Sequence, residues 1–151
     1  METLLTAIVT WLAVNFNLPA VYEHPRIELA SAETMHAVRY RRPGATHAQP
    51  AARTVRPGQL PEVEALYDDA TRTLYLPEEW TGRTPRELSV LVHEMVHHLQ
   101  NAAGLRYECA QAREKPAYVA QSRWLELFGR TLGEEFGIDP MTVLVRTACM
   151  H

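Results

Sequence analysis

Residues 84–104 read TPRELSVLVHEMVHHLQNAAG, and the signals at the two ends of this stretch delimit the central element of the chain. Thr84-Pro85-Arg86-Glu87 has the form of a capping box: the Thr hydroxyl takes an unpaired amide of the first turn, proline is tolerated at the first helical position, and Glu87 reaches back to the cap. Gly104 suits the left-handed position just past a helix end. Leu88, Val90, Leu91, Val92, Met95, Val96 and Leu99 surround most of the helix between these signals, which predicts a buried central helix. Inside it stand His93, Glu94 and His97, an HExxH pattern, although imidazoles and carboxylates are costly to bury without partners. Positions i and i+4 lie about 40° apart around the axis and about 6 Å apart along it, so His93 and His97 can hold one ion on one face. Glu94 is turned away from ligation yet close enough to take a proton from a water that the ion activates, the place of a general base. Zn²⁺ suits neutral imidazoles with a carboxylate, and three protein ligands leave its fourth position open. His98, turned about 100° from His97, is expected to be a supporting or surface histidine and not a ligand.

Around this helix the chain reads as one α+β domain spanning residues 1–151. A length of 151 residues is short for two domains, and 46% hydrophobic with 22% charged residues supports a real core. The net charge of -3 argues against nucleic acid as a partner, and no apolar run is long enough for a membrane span. Leu4, Leu5, Ile8, Val9, Leu12 and Phe16 recur at helical spacing. Glu2 stands where a signal peptide would have a basic region, so the N-terminus reads as an ordinary helix and the location as cytoplasmic, or periplasmic or secreted if a leader was removed. Arg26 to Ala30 is an extended candidate, and Ser31 can cap a helix through about Tyr40. Residues 39–58, with five Arg, no acid and three Pro, read as a flexible loop. Val63 to Tyr67 and Thr73 to Leu76 suggest a hairpin. A long helix is expected from about Arg113 to Phe136, and Asp139-Pro140 opens a short last one. Cys109 and Cys149 are either one disulfide or two buried thiols.

LSVLVHEMVHHLQ followed by Glu114-Lys115-Pro116-Ala117 resembles the zincin metallopeptidases of gluzincin type, in which an ExxA on the next helix follows HExxH. The whole chain from about Leu4 to Cys149 also looks like a group of small bacterial proteins carrying the HEMVHHLQ block. The resemblance implies a compact zincin-like domain with the HExxH helix packed on a small sheet and further helices. It makes His93, His97 and Glu114 the metal ligands and Glu94 the base; Glu108 and Cys109 compete for the third place. Pro116 departs from an ordinary helix interior, so the helix is expected to begin near Arg113 or to bend there. Tyr118 and Gln121 share the face of Glu114, and one of them is expected to bond a ligand imidazole. Tyr118 is a catalytic candidate, as a stabiliser of the oxyanion of a tetrahedral intermediate, with packing between helices as its other reading. Tyr107, Arg113 and Arg123 are weaker candidates.

The function these residues imply is a zinc-dependent hydrolase, a small metallopeptidase acting on a peptide or protein substrate. By the same resemblance, the Thr73-Leu74-Tyr75-Leu76 strand or its partner is the sheet edge that pairs with an extended peptide. Two alternatives use the same residues: a zinc-stabilised peptide-binding domain without turnover, and an amide hydrolase acting on a non-peptide substrate.

Overall fold

The computed structural model describes residues 1–41 and 64–150. In chain order the elements are α1 (Glu2–Phe16), β1 (Arg26–Ala30), α2 (Ala32–Arg39), β2 (Leu66–Asp68), β3 (Thr73–Pro77), α3 (Pro85–Ala102), α4 (Ala110–Glu126), α5 (Leu132–Phe136) and α6 (Pro140–Thr147). The class is α+β, with helices packed around a three-stranded sheet of order β1-β3-β2. Strand β1 runs parallel to β3 with Arg26 opposite Thr73, and β2 runs antiparallel with Leu66 opposite Tyr75. The loop expected over 39–58 lies outside the described residues from position 42 onward, as does Val63 of the expected hairpin.

Helix α3 is the hub because apolar residues cover it nearly all round. Leu91, Val92, Met95, Val96 and Leu99 are wholly buried, in one core with Leu5, Ile8 and Leu12 of α1 and Leu74 and Leu76 of β3. Ala117 and Ala120 of α4 join that core, and their small side chains allow α4 to lie close against α3. The end signals act as expected. Thr84 and Glu87 form the reciprocal capping box. At the other end Gly104, at φ 63°, allows the amides of Gly104 and Leu105 to bond the carbonyls of Asn101 and Gln100.

Two expectations for the second half need correction. Helix α4 begins at Ala110, where the Cys109 sulfur accepts from the Ala112 amide, so Pro116 lies well inside it and not in its first turn. The helix also ends at Glu126 instead of continuing to Phe136. Gly129, at φ 68°, turns the chain, and Thr131 with Glu134 forms a second capping box that starts α5. Cys109 is bonded to Cys149, a disulfide that ties the start of α4 to the segment after α6. Among the described residues, no helix is long and apolar enough to cross a membrane.

Candidate metal centre

The inner face of α3 and the first turns of α4 meet at one point. The Nε2 atoms of His93 and His97 lie 3.2 and 3.3 Å from the two carboxylate oxygens of Glu114, and one ligand atom from each residue lies within 4.8 Å of the others. The i, i+4 spacing on α3 brings the two rings to 5.1 Å between centroids. Both histidines are less than a tenth exposed. Of the rivals for the third position, Cys109 is consumed by its disulfide, and the exposed Glu108 is outside the cluster.

The far nitrogens decide which way the rings are wired. His93 Nδ1 lies 2.9 Å from Gln121 Oε1, and His97 Nδ1 lies 2.9 Å from Gln100 Oε1. Neither amide can be reversed without loss. Gln100 Nε2 donates to the Arg113 carbonyl at 3.0 Å while its Oε1 accepts from Arg113 Nε at 3.0 Å. Gln121 Nε2 faces Ser89 Oγ, whose own proton goes to the Arg86 carbonyl at 2.7 Å. Both amide oxygens therefore point at the imidazoles, and each Nδ1 must be the donor. The two Nε2 lone pairs are left facing Glu114, so three acceptors converge on one point unless both rings carry an extra proton. Such an N₂O donor set fits a cation of the Zn²⁺ type.

Electrostatics points the same way. Without a metal, burial works against ionisation of Glu114, but hydrogen bonds from the two imidazoles when protonated, and their charge, outweigh it and hold the carboxyl well below the usual range. Burial likewise disfavours a charged His97, yet the hydrogen bond to Glu114 and the nearby Glu94 and Glu114 charges raise its pKa. The site attracts positive charge, whether as protons or as a metal ion.

Glu94 is half-buried beside the cluster and lines the same cavity of about 750 Å³. Among the described residues its carboxylate has no hydrogen-bond or ion-pair partner. Tyr118 packs edge-on against the His93 ring at 4.9 Å, and its hydroxyl accepts from Arg146 Nη1 at 3.0 Å. Of the two candidates on that face, Gln121 bonds an imidazole and Tyr118 does not. His98 is not a surface residue. It is buried between the Tyr67 hydroxyl at 3.1 Å and the Glu23 carbonyl at 2.7 Å.

A family model described as Domain of unknown function (DUF6647) matches residues 1–151. The chain belongs to the DUF6647 family. No curated protein and no solved structure matches it.

Several residues that shape the centre of this DUF6647 chain were not singled out from sequence. Gln100 lies three residues after His97 on α3, a spacing that brings helical side chains together, and this was the signal available for it. Asp69 holds the Arg113 guanidinium through both of its oxygens, and Arg113 in turn bonds the His97 carbonyl at 3.1 Å. Nothing in the local sequence marks Asp69 or Arg146, because their partners lie 44 and 28 positions away. Arg123, by contrast, pairs with Glu126 on the exposed side of α4, and Tyr107 borders a different hollow.

Proposed function

We propose that this chain is a zinc-dependent hydrolase, a small metallopeptidase resembling the gluzincins, with His93, His97 and Glu114 as ligands and Glu94 as general base. The observation that supports it most is the pair of imidazoles held by amide oxygens at Nδ1, with both Nε2 atoms turned to Glu114 and alongside them the Glu94 carboxylate, which has no partner among the described residues. Buried wiring of this kind keeps two lone pairs aimed at one point, which a merely structural histidine pair does not need. When bound, Zn²⁺ supplies a Lewis acid that polarises a carbonyl and makes water acidic enough to attack near neutral pH.

The chain's own residues would divide the remaining work. Glu94 takes the proton of the attacking water and passes it to the leaving amine. Tyr118 can hold the developing oxyanion, since accepting from Arg146 leaves its own O–H proton to donate into the cavity. Strand β3 is central in the sheet, paired on both sides, so the Thr73–Leu76 segment cannot receive a peptide. Its partner β2 is an edge among the described strands, and Leu66 and Tyr67 line the cavity that holds the two histidines. An extended peptide paired with β2 would run past Glu94.

The test is cleavage of a mixed peptide library by zinc-loaded protein, read by mass spectrometry beside the Glu94→Gln variant. Wild type should cut, and the variant should retain zinc while cutting about 10² to 10⁴ times more slowly. A zinc-loaded wild type that binds peptides without cutting them would instead favour the non-catalytic binding domain, and cleavage confined to non-peptide amides would favour the amide hydrolase.

A further inference from the structure

We propose that the cavity takes a substrate bearing a carboxylate and that Arg146 receives it. This rests on the cavity being a metallohydrolase site and adds the class of substrate. Its charges are largely accounted for. Glu64 is held at 2.6 and 2.8 Å by Arg86, Arg113 is held by Asp69, and Glu94 and Glu114 belong to the centre itself. Arg39 and Arg146 remain, and among the described residues neither has a carboxylate partner. A divalent cation among the ligands would offset Glu94 and Glu114, leaving these two guanidiniums as the excess positive charge of the cavity lining.

Their positions differ. Arg39 is the last residue of α2 and, among the described residues, has no hydrogen bond to His93, His97 or Tyr118. Arg146 is one tyrosine away from a ligand imidazole: its Nη1 donates to the Tyr118 hydroxyl, and the Tyr118 ring lies against His93. Only that nitrogen is engaged among the described residues, so the rest of the planar fork can meet both oxygens of a carboxylate. The segment that follows Arg146 is also tied covalently to α4. Three residues after Arg146, Cys149 is bonded to Cys109, the cap of the helix that carries Glu114 and Tyr118. Anchor, tyrosine and ligand are thus held in one frame, which favours recognition without rearrangement.

The carboxylate has two possible sources, the C-terminus of a peptide or an Asp or Glu side chain. The experiment uses the zinc-loaded full chain carrying Glu94→Gln, so that probes bind and are not consumed. Three probes are titrated by NMR: N-acetyl-trialanine as the free acid, the same peptide as its C-terminal amide, and N-acetyl-Ala-Asp-Ala amide. At least one carboxylate probe should bind about ten-fold more tightly than the neutral amide, as expected for a charge-assisted hydrogen-bond pair. The free acid winning identifies the C-terminus, and the Asp peptide winning identifies the side chain. Adding Arg146→Gln should shrink the preference below about two-fold, Arg146→Lys should restore part of it, and Arg39→Gln should leave it in place. The proposal is overturned if no probe binds, if the neutral amide binds as well as both acids, or if the preference survives Arg146→Gln in protein that still holds zinc. These readings do not depend on turnover, so failure of the hydrolase assignment shows separately, in the library experiment.

Discussion

At the scale of single residues, the proposed centre would depend on side chains outside its own ligand set. Gln100 and Gln121 hold the imidazoles of His97 and His93 by accepting from Nδ1, and each amide is locked by its own further bonds. Replacing either by Leu should weaken zinc binding about 10- to 100-fold, measured by competition with a chromophoric chelator, while Gln→Glu, which keeps an acceptor, should retain most of the affinity. Unchanged affinity in both Leu variants would show that the rings are oriented by packing alone. His93, Glu94 and His97 were legible because their spacing on a capped apolar helix is a local pattern, and Glu114 was reached only through its ExxA resemblance. Gln100 was not legible as an orienting group, because its amide is fixed from another helix by the Arg113 carbonyl and guanidinium. Arg146 was hidden for the same reason, since its Tyr118 contact exists only once α6 packs on α4.

At the scale of elements, α3 is set at its start by Glu87. That carboxylate accepts from the amides of Thr81, Arg83 and Thr84 and from two Thr hydroxyls. Some burial opposes the effect, but these bonds pull its pKa from 4.5 down to about 2. A folded pKa below the unfolded one stabilises the protein above pH 4.5, and the contribution is lost as pH falls toward 2. Glu87→Gln should therefore cost roughly 1 kcal/mol at pH 7 in urea unfolding, with the gap to wild type closing as the medium is acidified below pH 5. A gap that stays constant with pH would place the effect in side-chain shape and not in charge. Helix α3, strand β1 and the β2-β3 hairpin were readable because caps, turns and alternation are local. The parallel pairing of β1 with β3 was not, being set by a register between residues 47 positions apart. The break between α4 and α5 was spelled by Gly129 and the Thr131 box, but Leu125, Leu127, Phe128 and Leu132 carry the apolar pattern across it.

At the scale of the whole molecule, the candidate centre joins parts of the fold, since His93, His97 and Glu114 come from the two helices that share the core and α4 is bound in turn to the segment after α6 by Cys109 and Cys149. Without metal, His97 and Glu114 form a pair whose contribution depends on pH. The raised pKa of His97 gives stability that is complete below the ordinary value of 6.5 and is lost as pH rises through the folded value, while the depressed Glu114 gives stability that is lost only well below 4.5. Chelator-treated protein should accordingly melt at a lower temperature at pH 9 than at pH 6, and zinc should abolish much of that difference by taking the place of the protons. Equal melting at both values without metal would mean that the pair contributes little.

The most direct measurement is the zinc content of purified protein by inductively coupled plasma mass spectrometry, for wild type and for His93→Ala, His97→Ala, Glu114→Ala and Glu108→Ala. The predicted result is about one zinc per wild-type chain, kept in Glu108→Ala, lost in both histidine variants and strongly reduced in Glu114→Ala. A folded wild type that neither holds nor takes up a divalent metal, or one whose content is indifferent to His93 and His97, would contradict the metal centre and the hydrolase built on it.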